Sequence, residues 1–259
     1  MNQEIIKKIN LFKVEDLKKS TKIIEGYSNN CYMIELKNNQ KYFYRQATIN
    51  NLTPRKQEAY VANLINDQTI IWYDVKTGNM LRQWIDGSTQ FEWNNDLIIE
   101  FVHKIKKLHQ LEYDKSKIMI HDNNIEIGVL DEIMAQKYQQ LVKKYQDLPL
   151  VFCHNDLNPG NILFGVDHRL YILDYEWSRA NSIYWELANF ARETLNQEQI
   201  LFLIQTYGNL DKKIFADFLF ITSCYALYWA FMQDQNDKKI TSYIKHVYER
   251  LEVISKFIF

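Results

Sequence analysis

Residues 150–177 read LVFCHNDLNPGNILFGVDHRLYILDYEW, and the rest of the chain can be organised around them. Two short apolar runs, residues 162–164 and 170–173, flank the turn-like Gly165-Val166-Asp167-His168-Arg169. That pattern predicts a β-hairpin. His154-Asn155-Asp156 lies just before the hairpin, Asn161 follows Asp156 by five residues, and Asp174 lies just beyond the second strand. A hairpin of this length returns its ends to one place. Asp156, Asn161 and Asp174 are therefore expected to be neighbours.

Phosphoryl transfer needs such a set. One carboxylate orients and deprotonates the attacking hydroxyl, while a second carboxylate and a carboxamide hold the Mg²⁺ ions that neutralise the nucleotide phosphates. Mg²⁺ prefers hard oxygen ligands and keeps several waters, so few protein ligands suffice. Asp156 is assigned as base, and Asn161 and Asp174 as metal ligands. The alternative is that Asp156, Asn158 and Asn161 simply form a loop around Pro159-Gly160. The apolar strand before them and Asp174 after the hairpin weigh against it.

His154-Asn155-Asp156-Leu157, Asn161-Ile162-Leu163, Asp174-Tyr175-Glu176-Trp177 and Trp185-Glu186-Leu187-Ala188-Asn189 resemble the choline kinase family. More broadly, the stretch is similar to the Brenner-type motif of the kinase-like phosphotransferases, which include aminoglycoside phosphotransferases and choline/ethanolamine kinases. The resemblance is dense over residues 150–193. One departure is Glu186, where that family usually has Asp.

The 259 residues carry a net charge of −1 with acids and bases interspersed, which gives no electrostatic footprint for nucleic acid. Cys31, Cys153 and Cys224 are odd in number and far apart, so neither a disulfide framework nor a metal spacing follows. A reducing, cytoplasmic location fits. The N-terminus lacks the long apolar stretch of a secretory signal. The longest uncharged apolar run, 218–232, is short for a membrane span and reads as a buried helix.

Residues 1 to about 20 read as an amphipathic helix, with Ile5, Ile6, Ile9 and Phe12 near helical spacing. Residues 22–36 read as strand, small polar turn and strand, and residues 41–45 as a third strand. Following the kinase resemblance, Ser28, Asn29 and Asn30 in the turn would lie over the nucleotide phosphates. A plain hairpin turn fits the same residues. Arg45 falls where kinases carry the cation that meets the α/β-phosphates, and Glu58, on a helix starting near Pro54, falls where its partner would be. A guanidinium can clamp phosphate bidentately. The alternative is a surface arginine and a surface glutamate. Two further strands, 69–73 and 79–84, bring the expected sheet to five. Residues 83–87 then leave the sheet and resemble an interlobe hinge, where the backbone of Gln83 and Ile85 would meet an adenine edge. A simple linker fits equally.

Helical spacing resumes at Asn94, with Leu97, Ile98, Phe101, Ile105 and Leu108 on one face and His109 at the end. Residues 111–128 are irregular, and helices follow at 129–145, 197–207, 212–233 and 240–259. The chain after Asp174 is rich in aromatics. A quaternary ammonium donates no hydrogen bond and is recognised by aromatic faces and nearby carboxylates. Trp185, Tyr225, Trp229 and Glu176 are the candidates for such a cage. Ordinary core packing is the alternative, and Ala226 falls where choline kinases often place a second tryptophan.

The resemblance implies an α+β, two-lobed, protein-kinase-like fold. An N-terminal lobe, 1–85, would carry an antiparallel sheet with a helix, and a larger, mainly helical lobe, 86–259, would carry the catalytic loop. It further implies an enzyme that uses ATP and Mg²⁺ to phosphorylate a small amino-alcohol, choline first. Ethanolamine or an aminoglycoside is the near alternative. A non-catalytic nucleotide-binding protein is the distant one, and it would require loss of a catalytic group that this chain retains. No nucleic-acid partner and no membrane span are expected, and the protein would be a monomer or homodimer.

Overall fold

Five antiparallel strands, β1 (Leu17–Ile23), β2 (Asn29–Leu36), β3 (Lys41–Ala47), β4 (Ile70–Tyr73) and β5 (Met80–Gln83), pair in the order β1-β2-β3-β5-β4. The computed structural model describes residues 3–23, 29–47 and 54–255. It divides into two compact units, Met1–Ser88 with Phe164–Arg169, and Thr89–Leu163 with Leu170–Phe259.

In the first unit, α1 (Gln3–Ile9) lies N-terminal to the sheet. Ile6, Ile9 and Phe12 join Ile34, Leu36, Tyr42, Tyr44 and Leu81 in one core, and Phe12 stacks on Tyr42 at 5.8 Å. Side chains alternate across a strand, so Tyr42 and Tyr44 share a face and Arg45 takes the opposite one. The helix expected over residues 1 to about 20 is much shorter. Asn10, at φ 51°, ends it in the left-handed conformation that asparagine tolerates. From Leu17 onward the chain is claimed by pairing with β2, running from Leu17↔Leu36 to Ile23↔Cys31. Pairing with a neighbouring strand outweighs the weak helical propensity of a short segment. α2 (Arg55–Leu64) begins directly after Pro54. The two residues of β6 (Gly87–Ser88) pair with Gly165 and Phe164.

The second unit is mainly helical. α3 (Asn95–His109) is capped by Asn94, whose side chain accepts from Leu97 N, and it buries Ile98, Phe101, Val102, Ile105 and Leu108. α4 (Glu132–Lys144) is capped in the same way by Asp131. β7 (Val151–Cys153) pairs antiparallel with β10 (Arg179–Asn181). Between them in sequence, β8 (Ile162–Gly165) and β9 (Leu170–Ile172) form the expected hairpin, whose tip, Phe164–Arg169, belongs to the first unit and is closed by Gly165 N donating to Arg169 O at 2.9 Å. α5 (Ile183–Thr194), α6 (Gln197–Tyr207), α7 (Lys212–Phe231) and α8 (Lys238–Ser255) complete the unit. α7 packs against α4, α5 and α8, while α3 packs against α6. Phe101 and Phe190 stack at 3.8 Å between α3 and α5. By length and composition α7 could cross a membrane, yet its Phe215, Leu219, Ile221, Cys224, Leu227 and Ala230 are buried within the protein.

Candidate active site

β7 ends at Cys153, and the next three residues are held on both sides. The Glu186 carboxylate, fully buried on α5, accepts from His154 N at 2.5 Å and Asn155 N at 2.9 Å. Burial alone would raise its pKa. The His109 imidazole, 3.6 Å away at ion-pair rather than hydrogen-bond distance, and the backbone donors instead hold it below the usual carboxylate range. His109 Nδ1 in turn meets Tyr207 Oη at 2.9 Å. This gives Glu186 a local task, fixing two backbone donors of the loop, which the sequence left open.

His154 is fixed in one tautomer. Its Nδ1 accepts from Asp156 N at 3.2 Å, so the proton sits on Nε2, which donates to Leu173 O at 2.8 Å. Burial lowers its pKa, consistent with a neutral ring. Asn155 stands at φ 65° and Asp174 at φ 60°, both left-handed. Asparagine and aspartate are the residues that adopt this conformation most readily after glycine. Left-handed non-glycine residues concentrate at functional sites. The Asn155 side chain is locked by donation to Cys153 O and Arg179 O, both at 3.2 Å, and by acceptance from Asn181 Nδ2 at 2.6 Å.

Asp156, Asn161 and Asp174 come together. Asn161 Nδ2 donates to Asp156 Oδ2 at 2.8 Å and to Asp156 O at 2.9 Å, and Asn158 Nδ2 donates to Asp156 Oδ1 at 2.9 Å. Leu173 N donates to Asn161 O at 2.8 Å, which anchors the residue preceding Asp174 to the same turn. Burial, opposed by the Asn158 and Asn161 hydrogen bonds and reinforced by the negative charges of Asp174 and Glu176, pushes Asp156 up to about 7. The Asn161 amide nitrogen faces Asp156, so its oxygen is turned to the other side of the amide. A carboxamide oxygen together with the Asp174 carboxylate would make a donor set of the hard, oxygen-only kind that suits Mg²⁺.

Glu176 is buried in the 3₁₀ turn after Asp174. Trp185, 2% exposed, meets Tyr225 edge-on at 4.9 Å. Trp229, one turn further along α7, packs against Tyr243 of α8. The sequence missed His121, whose ring lies 4.4 Å from Trp185 and 5.2 Å from Tyr225. It sits in the irregular segment 111–128, where no periodicity marks it.

In the first unit, Arg45 and Glu58 are both buried and form an ion pair, so neither is the surface residue that was the alternative. Arg45 also donates to Gly78 O at 3.0 Å. Two further partners of Glu58 were not anticipated, Arg55 at 2.9 Å and Tyr73 Oη at 2.6 Å. Burial and the Glu58 carboxylate raise the Tyr73 pKa. Asn29 and Asn30 open β2 opposite Ala47 and Gln46, and Ser28 lies outside the described residues. Gln83 N is occupied by Thr69 O at 2.8 Å, so this donor is not free for an adenine edge.

A family model described as choline/ethanolamine kinase matches residues 57–206. The Mycoplasma pneumoniae protein described as "Uncharacterized protein MG356 homolog" is 28% identical over 244 residues, which cover 92% of this chain and 86% of that protein. Protein LicA of Haemophilus influenzae is 27% identical over 175 residues, 60% of this chain, which spans about half (51%) of that relative. Among solved structures, choline kinase LicA from Streptococcus pneumoniae matches with a TM-score of 0.73 at 16% identity, over 96% of this chain and 98% of that one. A spectinomycin phosphotransferase in complex with ADP and spectinomycin matches with a TM-score of 0.71 at 12% identity, over 99% and 98%. The fold is thus that of the protein-kinase-like phosphotransferases.

Proposed function

Because the chain belongs to the choline/ethanolamine kinase family, we propose that it transfers the γ-phosphate of ATP to the hydroxyl of a small amino-alcohol, with choline as the first candidate. The observation that carries this reading is the hydrogen-bonded pair of Asp156 and Asn161, tied through Leu173 to Asp174. Asp156, held from both sides by Asn158 and Asn161, orients the acceptor hydroxyl and takes its proton. Its elevated pKa suits a group that must accept a proton near neutral pH. Asn161 and Asp174 hold the Mg²⁺ ions, which when bound neutralise charge on the transferring phosphoryl group.

Arg45 reaches the α/β-phosphates while Glu58, braced by Arg55 and Tyr73, fixes its guanidinium. Asn29 and Asn30 cover the phosphates, and Ile85 supplies the backbone edge for the adenine. Trp185 and Tyr225, with Glu176 and Trp229, receive the amine end of the acceptor.

The test is ADP release with Mg-ATP and choline, ethanolamine, an aminoglycoside or no acceptor. Acceptor-dependent turnover that Asp156→Asn reduces by about 10²-fold or more, in a folded protein, supports the reading. Near wild-type turnover by folded Asp156→Asn defeats it.

A further inference from the structure

The segment around His121 is drawn onto β10 by two backbone bonds, Ala180 N to Met119 O and His121 N to Ala180 O, both 2.9 Å. That register delivers the imidazole to Trp185 on α5 and Tyr225 on α7, so rings from three separate elements meet one another. Two polar atoms in this cluster, His121 Nε2 and Trp185 Nε1, are buried without a hydrogen-bond partner among the described residues. A buried polar atom left unpaired is unfavourable, so His121 Nε2, an acceptor when the ring proton is on Nδ1, points to a ligand group that donates to it, whereas the Trp185 indole N–H is itself a donor and is not matched by an ammonium. Burial, with the nearby Arg179 charge, lowers the His121 pKa to about 4, so the ring is uncharged at neutral pH. A neutral imidazole adds a further aromatic wall beside a cationic ligand and offers a nitrogen lone pair.

We propose that His121 is a specificity-determining residue of the acceptor pocket, taking a hydrogen bond at Nε2 from an ammonium N–H of the acceptor. A fully methylated ammonium has no such hydrogen and is held by the aromatic faces alone. His121 thereby sets the preference between acceptors that carry N–H groups and those that do not. The inference rests on the amino-alcohol reading given above.

The experiment compares kcat/KM for ethanolamine and choline in the wild type, His121→Phe and His121→Asn, with thermal melts confirming folding. The phenyl ring keeps the wall and removes the lone pair. Hydrogen bonds to charged groups translate into about ten- to hundredfold in binding. His121→Phe is therefore expected to lower the ethanolamine-to-choline ratio by about tenfold or more. His121→Asn, whose amide oxygen still accepts, keeps the ratio closer to wild type. If His121→Phe does not fold, His121→Leu takes its place in the same comparison. An unchanged ratio in a folded Phe or Leu variant, with the wild type active, overturns the role of His121 and leaves the kinase reading intact. A wild type that turns over neither acceptor overturns the amino-alcohol reading and the His121 assignment with it.

Discussion

Replacing Glu186 by alanine tests the clamp on the catalytic loop. The carboxylate is fully buried and satisfies His154 N and Asn155 N, which would then have no acceptor. Each unsatisfied buried donor costs about 1–3 kcal/mol, and the lost packing adds about 1 kcal/mol. The sum, about 3–7 kcal/mol, is a large part of the roughly 5–15 kcal/mol that holds a domain folded. Glu186→Asp keeps the charge but shortens the reach by one carbon–carbon bond, about 1.5 Å. It is expected to lose one of the two charge-assisted bonds, costing about 1.5–3 kcal/mol. If the loop shifts by about 1 Å, turnover falls by about 10²-fold even in the folded variant. Urea unfolding at constant m, paired with kcat, measures both effects. Glu186→Ala unfolding within about 1 kcal/mol of the wild type would refute the clamp.

Because Glu186 is held below its ordinary range, its contribution is complete above about pH 4.3 and is lost as pH falls through its folded value. Glu186→Gln should therefore show a shallower acid loss of stability in a pH series of thermal melts. Asp156 has the opposite sign. Its raised pKa favours folding fully below about pH 4, and that contribution fades as pH rises through about 7. The metal-free protein should lose thermal stability over that window, and Asp156→Asn should flatten the loss. Arg45→Met leaves the buried Glu58 carboxylate with Arg55 and Tyr73 but without its closest cation, and should cost about 3–5 kcal/mol by urea titration. Gly78→Ala should destabilise by more than about 1 kcal/mol in the same titration. Gly78 has φ 79°, and a Cβ there would clash with the Arg55 side chain.

The parts legible in the sequence were those encoded locally. The hairpin and its flanking Asp156, Asn161 and Asp174 lie within a single stretch, so spacing alone brings them together. Helices such as α3, with its apolar stripe and Asn94 cap, announce themselves by period. What escaped was decided by distant partners. β1 looks helical until β2 pairs with it, and His121 acquires meaning only when Ala180 draws its segment onto β10. The two further partners of Glu58 arrive from the same helix and from β4, and no single-strand pattern could have named Tyr73 as one of them.

Trp185 and Glu186 are consecutive on α5, so their side chains leave the helix about 100° apart. One meets the aromatic cluster and the other grips the loop that presents Asp156. A displacement of α5 that widens the cluster therefore tilts the loop as well. If the cluster receives the acceptor as proposed, acceptor choice and turnover would be coupled traits for an evolving lineage wherever change enters through α5. His121 reaches the same cluster from a separate segment, so under the role proposed for it substitutions there would alter the substrate range while the grip on the loop is left undisturbed.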